Sequence, residues 1–431
     1  MNEKVNGDQE VGAPGDREVH RHYDRAKAAF GGGDLPEAAR HCAEALEREP
    51  DFLPALELGG VIACNQGDLA TGIERFRRLT ELVPDNPGAH FNLGNALLNA
   101  GRPKDALPVL GEADELEPGN PGVRVTMGIC RRRMGEYEAA EALLKSALER
   151  SPRNLAALNA LGATYAEQHR YEDAHRVFKE AVSIEPRSPQ LRQNVGSMLL
   201  EMAHYAEAAD EFRAVLTLDS RDADARAGLG AALAGRGDYD EAMHHFRRAL
   251  RHAPDHGRAL YGLIDTLEHE GRIAEAQELL EPALEAKPGD ANLLFLKARL
   301  ARRNGDDEAA AEAVSAAEAA GVPASLEDRF FAEAGAIHDR AGNRERAMLA
   351  FTRANAATEK RWRAASPGPN AFMARVERIA RALEQRETDG DAAAAGDLGA
   401  VDLPIFLVGF PRSGTTLLGQ MCNAHPALVA V

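Results

Sequence analysis

The sequence is poor in basic residues. It has 51 lysines and arginines against 68 aspartates and glutamates, which leaves a formal net charge of -17 over 431 residues. A protein with this charge repels nucleic acid and anionic lipid headgroups. Aromatic residues make up only 5% of the chain, and they are not interleaved with basic residues as in grooves that bind single-stranded nucleic acid. We therefore expect neither nucleic acid nor a membrane among its partners.

Long apolar runs are also absent. A membrane-spanning helix needs about 20 consecutive apolar residues, and the apolar runs of this sequence are far shorter. The N-terminus lacks the basic start and the apolar segment of a secretory signal. These absences predict a cytoplasmic protein.

Potential metal ligands are few and poorly spaced. Four cysteines share no C-x-x-C spacing and are expected to pack as small apolar residues: Cys42, Cys64, Cys130 and Cys422. Four histidines lie close in sequence, but Pro254 interrupts the helical spacing of the last two: His244, His245, His252 and His256. The sequence therefore implies no metal cofactor.

What the chain does contain is a proline with a fixed period. The interval is 34 residues, with serine in its place once: Pro50, Pro84, Pro118, Pro152, Pro186, Ser220, Pro254 and Pro288. Proline ends a helix because it has no N–H to donate and its ring clashes with the preceding turn. The period is typical of a repeated helix-turn-helix unit.

Other residues recur in the same phase. Small residues in the first helix of each unit are expected where its two helices touch: Gly60, Gly94, Gly128, Gly162, Gly196 and Gly230. Their expected partners in the second helix are also small: Ala106, Ala140, Ala174, Ala208, Ala242 and Ala276. A large apolar residue follows four positions later and is expected to fill the groove between helices: Phe76, Leu110, Leu144, Phe178, Phe212, Phe246 and Leu280.

This pattern resembles the tetratricopeptide repeat. The resemblance implies an all-α superhelical solenoid of about ten repeats over residues 19–361, each stabilised by its neighbours. Residues 1–18 are predicted to be a disordered leader, residues 362–387 a capping helix and residues 388–402 a linker. Residues 403–431 then form a separate segment.

The concave groove of such a solenoid is a predicted binding surface. Side-chain amides that the family pattern places there can pair with both the N–H and the C=O of an extended peptide: Asn92, Asn95, Asn99, Asn159, Gln190 and Gln193. We therefore expect a protein or peptide partner, the alternative being that these are ordinary exposed polar residues. The carboxylate clamp of chaperone-binding relatives is not expected, because Phe91 stands where a lysine would be needed.

Residues 404–416 read PIFLVGFPRSGTT and predict a strand, a loop and a helix. The short apolar run that ends at Val408 is typical of a buried parallel strand. Gly409 and Gly414 let the loop backbone bring its N–H groups close to an anion. The helix that starts near Thr415 adds free amides and the positive end of its dipole. This arrangement predicts a site for a phosphate or sulfate ester.

The loop differs from the P-loop of nucleotide-binding proteins. The spacing of Gly409 and Gly414 is the same, but Thr415 stands where that loop has lysine. Without the lysine, the β and γ phosphates of a nucleoside triphosphate lose their main counter-charge, so a kinase or NTPase is poorly supported. Arg412, inside the loop, suits a single 5'-phosphate that carries a transferable group.

The segment resembles the first phosphosulfate-binding element of sulfotransferases that use PAPS (3'-phosphoadenosine 5'-phosphosulfate). It is similar to the tyrosylprotein-sulfotransferase-like branch. The resemblance implies PAPS as co-substrate, without a metal, and a catalytic contact from Arg412 to the bridging oxygen. It also implies a donor site made of Gly409, Pro411, Arg412, Ser413, Gly414, Thr415 and Thr416.

In that family the 3'-phosphate site, most of the acceptor pocket and a glutamate base come from sequence that would follow Val431. We therefore expect an incomplete, inactive fragment of a sulfotransferase whose repeats recruit a protein or peptide acceptor. The alternative is a non-enzymatic repeat scaffold for protein–protein interaction.

Overall fold

The computed structural model describes residues 14–365, with side chains described for residues 17–360. Within this range every regular element is an α-helix. The helices are α1 Pro14–Gly31, α2 Leu35–Arg48, α3 Leu53–Asn65, α4 Leu69–Leu82, α5 Pro87–Asn99, α6 Pro103–Leu116, α7 Pro121–Arg133, α8 Tyr137–Arg150, α9 Leu155–Glu167, α10 Tyr171–Ile184, α11 Pro189–Glu201, α12 Tyr205–Leu218, α13 Ala223–Arg236, α14 Tyr239–His252, α15 Gly257–His269, α16 Ile273–Ala286, α17 Ala291–Arg303, α18 Asp307–Ala320, α19 Glu327–Arg340 and α20 Arg344–Ala365.

The helices form ten consecutive pairs, as the repeat pattern predicts. Within a pair the two helices pack together, as α5 does with α6 and α13 with α14. The second helix of each pair also packs against the first helix of the next, as α12 does against α13. The predicted all-α solenoid of helix pairs is therefore confirmed for the described residues.

Both ends of the repeat region differ from the boundaries that the sequence predicts. Helix α1 begins at Pro14, inside the segment predicted as a disordered leader, because proline is well tolerated in the first turn of a helix. Helix α20 continues to Ala365, because Glu359 stands where the period would place the terminating proline. The rest of the predicted leader and capping helix, the linker and the segment at residues 403–431 lie outside the described residues.

The start of the first helix is fixed in five of the described pairs by an Asn or Asp cap that keeps the 34-residue period. Asn86, Asn120, Asn154, Asp222 and Asp290 each accept a hydrogen bond from a backbone N–H of the first turn. These bonds satisfy amides that have no partner within the helix. The tight connection between repeats is thus set by the cap on one side and by the proline on the other.

The glycines of the first helices lie against the large apolar side chains of the second helices. A Cβ added to Gly162 would lie 2.6 Å from the ring of Phe178, and one on Gly94 would lie 2.5 Å from Leu110. The alanines predicted as the glycines' partners are fully buried. However, the group that closes on the glycine is the large side chain, which corrects the expected pairing.

First helices end with a residue in the left-handed conformation. It is glycine in most repeats, as at Gly67, Gly101, Gly135 and Gly237. At the same position of two repeats stand His169, with φ 58°, and Ala203, with φ 59°. A hydrogen bond from the backbone N–H of the next residue holds each of them in place. After Ala203, the N–H of His204 donates to the carbonyl of Leu199 at 2.8 Å. The fold therefore imposes this conformation whether or not glycine is present.

Apolar side chains between the two helix layers make up the core. The largest cluster runs from Val125 to Leu300, and a separate cluster from Leu294 to Ala354 serves the last repeats. Ile264 and Ala298, which replace the small glycine in repeats eight and nine, are fully buried. None of the described helices is long and apolar enough to cross a membrane.

The exception at Ala203 gives a test of the fold. We expect Ala203→Gly to raise the free energy of unfolding by about 1 kcal/mol, because the left-handed conformation is strained for a residue with a Cβ. The matched reverse change, Gly237→Ala, should lower it by about the same amount, since an added Cβ meets nothing within 4 Å and only strain acts. Urea unfolding measures both values, and a change of the same sign in both variants would contradict this account.

Candidate functional site

The first helices of the repeats line one surface. Helix α5 packs against α7, α11 against α13, and α13 against α15, each one repeat further along the chain. We call the surface formed by α5, α7, α9, α11, α13, α15 and α17 the first-helix face. The predicted groove residues lie on α5, α9 and α11 of this face.

The six predicted amide residues fall into two groups. On α5, Asn95 accepts a hydrogen bond from the Thr126 hydroxyl at 3.0 Å, which ties α5 to α7. Its neighbours are half-buried Asn92 and exposed Asn99. The second group, on α9 and α11, contains Asn159, Gln190 and Gln193.

In the second group the amides are linked through Asn194. The amide of Asn194 donates to Asn159 at 2.9 Å, and the amide of Gln190 donates to Asn194 at 3.2 Å. The sequence prediction omitted Asn194, although it follows Asn159 by one repeat plus one residue. Asn159 and Gln190 remain exposed, so this row keeps donors and acceptors available at the surface.

Hydrogen bonds between neighbouring first helices continue along the face. Gln193 donates to Asp222 at 2.7 Å, and the Tyr261 hydroxyl donates to Asp290 at 2.5 Å. Burial of the phenol, together with the Asp290 carboxylate, raises the pKa of Tyr261, so its hydroxyl stays a donor. His256 caps α15 by accepting from the Ala259 N–H, and it contacts Asp224 at 3.1 Å. The polar groups of this face are therefore largely held in place.

A cavity of about 410 Å³ opens beside this face between α15, α17 and the start of α19. Its apolar wall includes Phe246, Phe295 and Leu296, and its charged wall is Arg258, Asp265, Arg299 and Arg329. Arg258 and Arg329 are exposed. The cavity can accept an apolar side chain, and a guanidinium fork on its rim can pair with a carboxylate.

A buried carboxylate holds one arginine of the cavity wall, Arg299. The Glu268 side chain is only 3% exposed and is paired with both Arg299 and Arg303. Arg299 also pairs with Asp265, and its guanidinium lies 5.7 Å from the centre of the Phe295 ring. The sequence prediction missed this network, since its partners lie on consecutive first helices about one repeat apart.

The predicted donor loop cannot be placed beside this face. Gly409, Pro411, Arg412, Ser413, Gly414, Thr415 and Thr416 all lie outside the described residues. The donor site and the role of Arg412 therefore remain predictions from the sequence.

Comparison with protein families bears on both parts of the chain. Tetratricopeptide-repeat models match residues 97–163, 131–193 and 233–300, residues 58–121 and 196–246, and residues 19–44. A model of the sulfotransferase family matches residues 404–431. This short match covers the predicted donor loop. No curated protein matches the chain.

Solved structures agree with the repeat fold. A tetratricopeptide repeat protein from Parabacteroides merdae is 21% identical, with a TM-score of 0.52, and the match covers 57% of this chain and 98% of that one. YrrB, a repeat protein described as having an unusual peptide-binding site, is 22% identical with a TM-score of 0.38, and that match covers 43% of this chain and 96% of its own. The likeness to the Parabacteroides merdae protein shows the fold alone.

The buried carboxylate of Glu268, which holds Arg299 in the cavity wall, gives a second test. We expect Arg299→Gln to lower the free energy of unfolding by about 2 kcal/mol, because Glu268 would be left with one of its two guanidinium partners. The control is Arg258→Gln on the rim of the same cavity, which should change stability by less than about 0.5 kcal/mol. Equal effects of the two changes in urea unfolding would show that the Glu268 network does not anchor the cavity.

Proposed function

We propose that this chain, which belongs to the tetratricopeptide-repeat family, uses its first-helix face to bind a protein or peptide acceptor for sulfuryl transfer from PAPS. The transfer is assigned to a sulfotransferase domain to which residues 403–431 belong. The observation that carries the enzymatic part is the match of the sulfotransferase family to residues 404–431. That match coincides with a segment whose residue types predict an anion-binding loop.

The chemistry of the donor loop follows from its residues. Loop amides and the hydroxyls of Ser413, Thr415 and Thr416 hold the 5'-phosphate of the donor. Arg412 neutralises the negative charge that develops on the oxygen bridging phosphorus and sulfur. That charge appears as the bond between this oxygen and sulfur breaks. The protein therefore contributes by positioning the donor and the acceptor in line.

The repeats supply the acceptor side of the proposal. The linked amides Asn159, Asn194 and Gln190 can pair with an extended peptide backbone with little demand on its sequence. The cavity near Arg258 can accept an apolar side chain of the peptide, and the guanidinium on its rim can pair with a neighbouring carboxylate of the same peptide. Hydrogen bonds between helices already fix many side chains of this face. Binding a peptide therefore loses little side-chain conformational entropy.

Nucleotide binding tests the enzymatic part. In the complete protein we expect Arg412→Ala to weaken binding of 3',5'-adenosine bisphosphate by roughly 10- to 100-fold, because a charge-assisted hydrogen bond is lost. The control is Arg221→Ala, an exposed arginine of the repeat region, which should leave the affinity unchanged. Isothermal titration calorimetry measures both variants. If the unaltered protein does not bind the nucleotide, the enzymatic proposal fails and the scaffold alternative stands.

Sulfate transfer tests the acceptor surface. We expect the double change Asn159→Ala and Asn194→Ala to raise KM for a library of tyrosine-containing peptides, with kcat and nucleotide affinity unchanged, because only acceptor binding is affected. The control is Lys179→Ala, exposed on the second helix α10. Transfer of labelled sulfate from PAPS gives both constants. An unchanged KM in the double variant would remove this row of amides from the acceptor site.

A further inference from the structure

The first repeat contains a compact cluster of two histidines and a glutamate. His22 is on α1, and His41 and Glu44 lie three residues apart on α2. The Nδ1 atoms of the two histidines are 3.4 Å apart, and they lie 2.7 and 2.9 Å from the same carboxylate oxygen, Oε2 of Glu44. Among the described residues, this is the one group of three such side chains whose ligand atoms converge on a point.

We infer that these three side chains bind a divalent transition metal, with zinc as the reference ion. Zinc lies about 2.0–2.1 Å from imidazole nitrogen, so two ligands of a tetrahedral site are about 3.3 Å apart. The two histidine Nδ1 atoms are already about this far apart. The distance from each of them to Oε2 of Glu44 would need to grow by only about 0.5 Å. Two imidazoles and one carboxylate are a common zinc ligand set, with the fourth position left to water.

The groups around the cluster suit this role. Arg40 donates from Nη1 to Oε1 of Glu44 at 2.9 Å, which leaves Oε2 directed at the histidines. Nε2 of His41 lies 3.2 Å from Nη2 of Arg40 and 3.7 Å from the Glu37 carboxylate, so a metal on Nδ1 requires Arg40 to move off Nε2, whose N–H can then donate to Glu37. Such outer carboxylates orient metal-bound histidines in known sites.

The position of the cluster gives the metal a structural role. His41 is 6% exposed, while the side chains of His22 and Glu44 are 15% and 29% exposed. The site is therefore reachable from solvent while its ligands are held by the helices. Because His22 is on α1 and the other two ligands are on α2, the metal would link the two helices of the first repeat. This role is independent of the proposed sulfotransferase function.

Zinc binding by the complete, tag-free protein tests the inference. After removal of metal with a chelator, we expect added zinc to raise Tm and to bind with one-to-one stoichiometry in competition with a chromophoric chelator. His22→Ala and Glu44→Gln should each weaken zinc binding by at least about 100-fold, since loss of a direct ligand exceeds the effect of an outer partner. Cobalt should give the unaltered protein a visible spectrum typical of a four-coordinate site, and it should give no such spectrum with His22→Ala or Glu44→Gln.

Glu44→Gln separates a metal site from a hydrogen-bond network. Its amide oxygen can still accept from the histidines, so it should fold normally, by circular dichroism, yet lose the zinc-dependent rise in Tm. His244→Ala, in a histidine pair on α14, is the matched control and should bind zinc like the unaltered protein. Absence of a zinc-dependent shift in the unaltered protein would overturn the inference. So would equal zinc affinity in His22→Ala.

Discussion

The packing of one large side chain against bare helix backbone is the contact on which the repeat region depends. The ring of Phe212 lies against Gly196 of its own repeat and also against Gly228 of the next, where an added Cβ would be only 2.4 Å from the ring. Phe246 does the same between Gly230 and Gly262. One side chain therefore holds three helices together. Stability in such an array comes from the coupling of neighbouring repeats rather than from any single repeat.

This periodic contact explains why so much of the fold could be predicted. Most glycines, large apolar residues and prolines of the pattern recur with the same 34-residue spacing, so the few exceptions do not obscure the period. The prediction failed where local sequence breaks the period but neighbouring repeats keep the structure. His169 and Ala203 adopt the left-handed conformation without glycine, since the helices on either side fix the connection. The ends also differed, because no adjacent repeat defines the phase there.

The candidate site was only partly predictable. Residue type and repeat position identified Asn159 and Gln190 as candidates, but not their link through Asn194. The cavity was missed because its ion pairs join different repeats, as Glu268 on α15 joins Arg303 on α17. Sequence periodicity gives the face on which a side chain lies, whereas its partner depends on rotamers and on the offset between neighbouring helices. The donor loop stays a prediction from consecutive residues, because it lies outside the described part of the chain.

The first described repeat differs from the later ones in its central contact. The position of the large ring is occupied there by Cys42, and Ala26 stands where later repeats have glycine. Burial raises the pKa of the Cys42 thiol to about 11, so it acts as a small apolar group and not as a thiolate. The polar cluster of His22, His41 and Glu44 joins α1 and α2. A metal at this point would therefore add a link between these two helices in a repeat where Cys42 replaces the large apolar side chain.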